Sequence, residues 1–395
     1  MKKYFITLFV FVFIVMIVGE QLLGMPAFAR KYRMSCKTCH NPFPRLKAYG
    51  DEFAGNGFVL KDQDAPRYFV DTGDKDLSLI RDFPIALRLE GHIMYNNGNA
   101  GKVDFASPYL LKLLSGGIIA KNISYYFYFF LGERGEVAGL EDAFIMFNDV
   151  FGTGISVSVG QFQVSDPLFK RELRLTFEDY QIYRTKVGNS GINLTYDRGI
   201  MLNWGFAGGT DFTVEILNGS GIDEADILKN FDTDKYKNVF GRISQGLGEL
   251  LRVGVLGYYG KEAPDQVINE IWMWGADATL SFGDNMELNL QFVERRDKNP
   301  YFRTAFPVEI KTRGAFGELI WTPGGDSGNW YAAALLNWVD SEQDILDYQS
   351  ASLHAGLLLR RNFRLVGEVT YFLKSAYGDD DGEHLRAGIG LITAF

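Results

Sequence analysis

The sequence predicts an all-β fold: a transmembrane antiparallel β-barrel of about sixteen strands, preceded by a short α-helical segment. Of the 395 residues, 47% are hydrophobic and 15% aromatic, yet the mean hydropathy is close to zero. That balance is typical of strands in which apolar and polar residues alternate. Segments with this alternation begin near residue 84. The connections between them alternate between short and long, as expected for a barrel in the bacterial outer membrane.

The first residues are typical of a secretory signal peptide. Lys2 and Lys3 precede an uncharged apolar run over 4–19, and Ala27 to Ala29 form a small-x-small cleavage site. The run is short for a membrane helix, which needs about 20 apolar residues. We therefore assign 1–29 to a signal peptide and expect the protein to be exported.

The only two cysteines of the chain, Cys36 and Cys39, are followed directly by His40. Cys-x-x-Cys-His is the attachment motif of c-type haem. Each thiol bonds one vinyl group of the haem, and the histidine then ligates the iron from the proximal side. The motif predicts one covalent haem c on Cys36 and Cys39, with His40 as the proximal iron ligand.

Three other interpretations of the cysteine pair explain the motif less well. A redox pair belongs in a thioredoxin-like βαβ unit, and no such unit is predicted. A structural zinc site needs two further ligands nearby, whereas the chain has four histidines in total. A disulfide suits an exported protein, but it gives no reason for the adjacent histidine.

The haem segment, residues 30–60, is predicted to contain a short helix over 43–53. Leu46, Tyr49 and Phe53 recur at i, i+3 and i+7 and form one apolar stripe. The helix is either a lid over the haem face or an ordinary amphipathic helix. A polar connector rich in aspartate follows over 61–83.

The rest of the chain, 84–395, is predicted to be the barrel. In the strand near 270–282, Trp272 and Trp274 share the apolar face, while Met273 and Asp277 share the other. An extra hairpin within 170–198 is the main uncertainty in the strand count. The predicted strands lie near 84–95, 108–120, 123–133, 140–149, 154–164, 197–207, 210–218, 236–246, 249–260, 270–282, 286–296, 310–322, 329–339, 349–361, 363–374 and 384–395.

Alternation also nominates a second iron ligand. In the first strand, His92 and Met94 fall on the face predicted to line the lumen, and His354 does so in a later strand. Histidine and methionine are the usual second axial ligands of cytochromes. His92 is the leading candidate, although a polar lumen accommodates a histidine without any metal. Met34 is too close to Cys36 in sequence to reach over the iron.

These residues resemble the fused cytochrome–porins of iron-oxidising bacteria. The resemblance covers residues 25–60: Pro26-Ala27-Phe28-Ala29-Arg30, the Cys36-Lys37-Thr38-Cys39-His40 motif, and the pattern Pro44-x-Leu46-x-x-Tyr49-Gly50-x-x-Phe53-x-x-x-Gly57-Phe58. In that family a single N-terminal haem precedes a porin-like barrel, and electrons are taken from external Fe(II). The resemblance implies that Cys36, Cys39 and His40 bind the haem. It carries over no distal ligand.

Together these features predict an electron-transfer conduit in the outer membrane. The hydrocarbon core, roughly 30 Å thick, is too wide for one useful electron hop. One haem can therefore serve as a conduit only if it sits within the membrane, which favours a haem segment inside the lumen over one at the periplasmic side. The predicted partners are outer-membrane lipid, an extracellular donor such as Fe(II), and a periplasmic c-type cytochrome or other carrier. The oligomeric state stays open.

Other functions fit less well. The net charge of −9 and the lack of a basic stripe disfavour a nucleic-acid partner. No nucleophile, acid–base pair or phosphate loop stands out, so the predicted chemistry is one-electron exchange, with Fe(II) oxidase activity if iron is the donor. Two alternatives are a porin whose haem segment is only a plug, and a conduit running outward for extracellular metal reduction.

Overall fold

The computed structural model describes residues 26–60, 69–97, 102–137, 139–375 and 383–395. Residues 1–25 of the predicted signal peptide and 61–68 of the predicted connector lie outside these ranges. Within them, no helix has the length and apolar character needed to cross a membrane.

Sixteen antiparallel strands form one closed barrel in which each strand pairs with its neighbours in sequence and β1 pairs with β16. This confirms the predicted fold class. The strands are β1 Ile85–Asn96, β2 Val103–Ala120, β3 Ile123–Glu133, β4 Gly139–Phe147, β5 Ile155–Gln163, β6 Tyr196–Gly205, β7 Thr210–Leu217, β8 Asn238–Leu247, β9 Leu251–Glu262, β10 Asn269–Phe282, β11 Met286–Asp297, β12 Ile310–Trp321, β13 Trp330–Ser341, β14 Tyr348–Arg360, β15 Phe363–Lys374 and β16 His384–Ala394.

The two faces of the barrel follow the period-two alternation of the sequence. On β10, the side chains of Trp272 and Trp274 are 51% and 55% exposed on the outside, whereas Met273 between them is 4% exposed. On β1, Glu90 and His92 are buried inside. The outer face is apolar, as contact with lipid requires.

The strand connections define two ends. We call one the short-turn end, where tight turns lie at 121–122, 206–209, 248–250, 283–285 and 361–362. The other is the long-loop end. The predicted strict alternation in length is wrong: the connection 322–329 at the short-turn end is longer than the connection 134–138 at the long-loop end. The longer turn is possible because Gly325 takes a positive φ of 49° within a 3-10 turn, Gly325–Ser327.

No additional hairpin lies within 170–198. Instead, residues 164–195 form an inner loop that carries a short helix, Gln181–Arg184. The Tyr183 hydroxyl donates to Gln291 Oε1 at 2.8 Å, and the Gln181 amide donates to Asn337 Oδ1 at 3.1 Å. Both acceptors lie on barrel strands, so the loop packs against the inner wall.

The N-terminal segment contains α1 Pro26–Tyr32, a 3-10 turn Cys36–Thr38, and α2 Ala48–Gly55. The predicted helix start near residue 43 is wrong. Before Ala48 the chain folds back on the motif: the Asn41 amide donates to the Arg45 carbonyl at 3.1 Å, and the Lys47 amide to the Cys39 carbonyl at 2.8 Å. Pro42 and Pro44 have no amide hydrogen to give to a helix, so the helix begins after this loop.

Candidate haem site at the short-turn end

The Cys-x-x-Cys-His motif forms one compact turn. The amides of Cys39 and His40 both donate to the Cys36 carbonyl, at 3.1 Å and 2.9 Å. Both cysteines are thiols, not joined in a disulfide. All three predicted haem-binding residues line the same cavity, so the structure brings them together.

His40 is held in one tautomer. Its Nδ1 lies 2.7 Å from the Pro44 carbonyl oxygen and 3.1 Å from that of Arg45. A carbonyl only accepts hydrogen bonds, so Nδ1 carries the proton and Nε2 keeps its lone pair. Burial lowers the pKa of His40 to about 4, which keeps the ring neutral at neutral pH. A neutral imidazole fixed through Nδ1–H is the usual form of a metal-ligating histidine.

Helix α2 packs directly on the motif through Gly50. A Cβ added at Gly50 would overlap the Cys39 carbonyl oxygen and lie 2.9 Å from Leu46 Cδ2. Only a glycine permits this close approach between the helix and the turn. Gly50 therefore lets helix α2 pack against the turn that carries the Cys-x-x-Cys-His motif.

Gly50→Ala is expected to destabilise the segment by about 1–3 kcal/mol, the usual cost of overpacking. Hydrogen exchange of the amides in 36–55 measures it, since local opening becomes roughly ten- to a hundredfold more frequent. The control is Gly55→Ala in the same helix, where an added Cβ meets nothing within 4 Å. Equal protection in the two variants would contradict the packing role of Gly50.

The cavity beside the motif, here the cofactor cavity, has a volume of about 390 Å³, within the range of about 300–1,000 Å³ for ligand pockets. The N-terminal segment lines it on one side, the strands β1–β6 on another, and the inner loop also contributes. Most of its lining surface is apolar, which suits a porphyrin, and charged side chains line the rest. The large apolar side chains around it are Phe28, Met34, Phe43, Leu46, Phe53, Phe58, Leu114, Tyr126, Phe144, Met146, Phe162, Leu173 and Met201, and the charged ones are Asp51, Arg88, Lys112, Asp142, Asp166, Lys170 and Glu172.

Charged contacts attach the segment to the inner wall. Arg45 forms ion pairs with Glu287 on β11 and with Glu318 on β12, the latter at 3.4 Å. Arg364 on β15 donates to the Phe43 carbonyl at 2.7 Å, and its guanidinium lies 5.3 Å from the Phe43 ring centre. These partners come from the ends of strands near the short turns.

An aromatic contact attaches the segment on the opposite side. Phe58 stacks on Tyr126 of β3 with ring centres 5.3 Å apart. The Phe58 ring fits over Gly116 on β2, where an added Cβ would lie 3.2 Å from it. The segment therefore reaches across from β11–β15 to β2–β3.

His92 is not among the residues that line the cofactor cavity. Its ring packs against Tyr109 and Phe177, with centres 4.8 Å and 4.6 Å away, and its Nε2 lies 3.3 Å from Glu90 Oε2. It lines a separate outer cavity of about 510 Å³ near the long-loop end, together with Met94.

His354 is also remote from the motif. Its Nδ1 lies 3.0 Å from Glu368 Oε2, and that carboxylate accepts the Phe177 and Glu178 amides of the inner loop at 2.5 Å and 2.9 Å. The His354–Glu368 pair thus holds the loop. Neither histidine predicted from alternation is brought to the three haem-binding residues.

Sequence reasoning missed the inward methionines Met146 and Met201 of the cavity. Alternation alone places both on lumen faces of their predicted strands. Alternation does not give the position of each residue along the barrel axis, because that position depends on strand register.

No family model and no curated protein matches the chain. Solved structures do match its barrel. The anion-selective porin from Comamonas acidovorans is 14% identical with a TM-score of 0.59, over 80% of this chain and 99% of that one. The outer membrane channel DcaP of Acinetobacter baumannii is 12% identical with a TM-score of 0.55, over 80% and 97%.

Salmonella typhi OmpF, in complex with daunomycin, is 11% identical with a TM-score of 0.56, over 79% of this chain and 97% of that one. At such identities the likeness concerns the fold alone. The chain has a porin-like barrel, an architecture that fits the bacterial outer membrane and its lipid.

Proposed function

We propose that this protein is an outer-membrane electron conduit that holds one covalent haem c in a porin-like barrel. It takes electrons from extracellular Fe(II) or a similar donor and passes them to a periplasmic c-type cytochrome or other carrier. The observation that carries the proposal is the state of the motif: two thiols and the Nε2 of a fixed, neutral His40 at one apolar cavity.

The chain's residues fit a haem c. Cys36 and Cys39 would hold it through thioether bonds, and His40 would ligate the iron. When bound, the haem supplies reversible one-electron exchange, with a potential that depends on its axial ligands and burial. The apolar side chains of the cavity would pack against the porphyrin, and the Nδ1–H bonds to the Pro44 and Arg45 carbonyls keep His40 oriented.

The position of the cavity supports exchange with the periplasm. In porin-like barrels the short turns face the periplasm and the long loops face outward. The motif lies at the short-turn end, where Lys37 is exposed and lies beside the turn 322–329. A periplasmic carrier can therefore approach the haem edge from this side.

Three cavities that share lining residues lie between the motif and the long-loop end. A middle cavity of about 460 Å³ shares Arg88, Lys112 and Glu172 with the cofactor cavity. It shares Tyr109 and Phe177 with the outer cavity. A small donor entering between the long loops would reach the haem through these spaces, so that one haem serves both sides.

The test is the visible spectrum of detergent-solubilised protein under anoxic conditions at neutral pH. We expect Fe(II) to produce the sharp α-band of a reduced c-type haem within seconds. Dithionite, a stronger reductant, is the control for total reducible haem. Reduction by dithionite but not by Fe(II) would remove iron as the donor and favour outward electron flow.

The porin-like fold favours a second candidate, a solute porin with a haem-bearing plug. Bilayer conductance separates the two. We expect a conductance well below that of open sixteen-stranded porins, because the inner loop and the N-terminal segment both pack against the inner wall. A conductance equal to that of open porins, unaffected by haem loss, would favour the porin.

A further inference from the structure

Two methionines form a row on the wall of the cofactor cavity. Met146 on β4 pairs in register with Ser158 on β5, and Ser158 pairs with Met201 on β6. Both side chains point inward and are buried, at 9% and 6% exposure. Both line the cavity that holds the haem motif.

This row lies opposite His40 in the barrel. His40 borders the turn 322–329 and the ends of β13 and β14, beside Trp330 and Leu358. In a closed ring of sixteen strands, β5 and β13 are diametrically opposed. The cavity between them is thus bounded by the proximal histidine on one side and by thioether sulfurs on the other.

Other nitrogen and sulfur donors are excluded by their surroundings. All four histidines of the chain are described, and His40 alone among them lines the cavity. Lys112 is ion-paired with Glu172, and Lys170 lies 3.3 Å from Asp166 Oδ2. Met34 also lines the cavity, but it immediately precedes the turn that carries Cys36, on the proximal side.

We propose that a methionine sulfur of this row, Met146 or Met201, is the second axial ligand of the haem iron. The inference rests on the proposed function, since it requires a haem on the motif. Histidine–methionine ligation raises the potential of a c-type haem above that of other axial pairs. Such a haem accepts electrons from donors that a low-potential haem would not oxidise.

The test is the oxidised spectrum and the potential of the purified holoprotein. Methionine–iron ligation gives a weak sulfur-to-iron charge-transfer band at the red edge of the visible range. We expect the wild type to show this band. The leucine variant of the ligating methionine, Met146→Leu or Met201→Leu, is expected to lose the band and to have a lower haem potential. Leucine conserves the volume of methionine, so the barrel is expected to tolerate it at less than about 1.5 kcal/mol.

Two matched variants act as controls. Met273→Leu changes an inward methionine of 4% exposure on β10 that is not a lining residue of the cavity. Met34→Leu changes the third methionine of the cavity. Both are expected to keep the band. Heat-modifiable gel migration confirms that each variant has a closed barrel.

A gain-of-ligand variant tests the same geometry. Histidine placed at the ligating position (Met146→His or Met201→His) is expected to give a low-spin bis-histidine spectrum with a lower potential. Because an introduced histidine also binds iron at a vacant position, the diagnostic result is the replacement of the charge-transfer band by the bis-histidine spectrum.

The outcomes separate the inference from the function. Three results would overturn the methionine ligand while leaving the conduit intact. They are a wild-type haem without the charge-transfer band, a band that survives when Met146→Leu and Met201→Leu are combined, and a band lost only in Met34→Leu. Absence of covalent haem in the wild type would overturn the proposed function itself.

Discussion

Replacing Cys36 and Cys39 together with serine is expected to abolish covalent haem completely while the barrel still closes. Serine cannot form the thioether bonds, and these are the only cysteines in the chain. The barrel closes through strand pairing, including β1 with β16, that involves neither residue. Haem staining of a denaturing gel measures the loss, and heat-modifiable migration measures closure.

The matched comparison is between two histidines. His40→Ala is expected to leave haem attached through the cysteines but to lose the low-spin spectrum. His92→Ala, in the separate outer cavity, is expected to leave that spectrum unchanged. A haem-stained band in the double serine variant would contradict the attachment site, and a spectrum altered by His92→Ala would return that residue to the iron.

Arg45→Ala is expected to release the haem segment from the wall at a cost of about 3–5 kcal/mol, the usual effect of removing one partner of a buried ion pair. The reason is Glu318, whose side chain is 1% exposed. Its remaining donors, Asn289 at 3.2 Å and the Tyr180 hydroxyl at 3.0 Å, are neutral. Without Arg45, the buried Glu318 carboxylate loses its positively charged partner.

Hydrogen exchange of the amides in 36–55 measures this release, with Lys47→Ala as the control. Lys47 pairs at 2.6 Å with Asp326, whose side chain is 49% exposed, and such surface pairs contribute about 1 kcal/mol or less. Arg45→Ala combined with Glu318→Leu is expected to recover much of the loss, because no unpaired charge is then buried. Equal exchange in Arg45→Ala and Lys47→Ala would show that the segment is held by other contacts.

The barrel was predictable from sequence because lipid imposes a strict rule on every strand. Side chains alternate between lipid and lumen, so Trp272 and Met273 reveal their faces without any tertiary information. Fifteen of the sixteen strands lie within two residues of their predicted bounds, whereas β2 begins five residues earlier than predicted, at Val103. The strand edges must be paired in a membrane, which leaves closure as the only solution.

The content of the lumen was not predictable in the same way. The inner loop has little regular structure, and its placement depends on individual contacts such as Tyr183 with Gln291. The predicted start of the helix over 43–53 is wrong because Pro44 is compatible with a first helical turn as well as with the loop that it occupies before Ala48. A loop that folds back on its own motif has no periodic signal.

The predicted haem-binding residues and the proposed distal ligand also differ in how far sequence alone identifies them. Cys36, Cys39 and His40 lie within five consecutive residues, so local chemistry fixes their spacing. The proposed second ligand comes from a distant strand, and its identity depends on strand register and on the position of the segment. His92 has the right chemistry and the right face, yet it lines the outer cavity, whereas Met146 and Met201 line the cavity that also holds the motif.

The most direct test of the conduit is electron transfer across a vesicle membrane. The holoprotein is inserted into lipid vesicles that contain ferricyanide, and Fe(II) is added outside under anoxic conditions. We expect the ferricyanide colour to bleach with the wild type. We expect no bleaching with the Cys36→Ser, Cys39→Ser double variant, whose barrel lacks haem. Blue iron hexacyanoferrate formed inside the vesicles, equally with both proteins, would show that Fe(II) passes through the lumen as a solute and would contradict electron transfer by a haem held in the barrel.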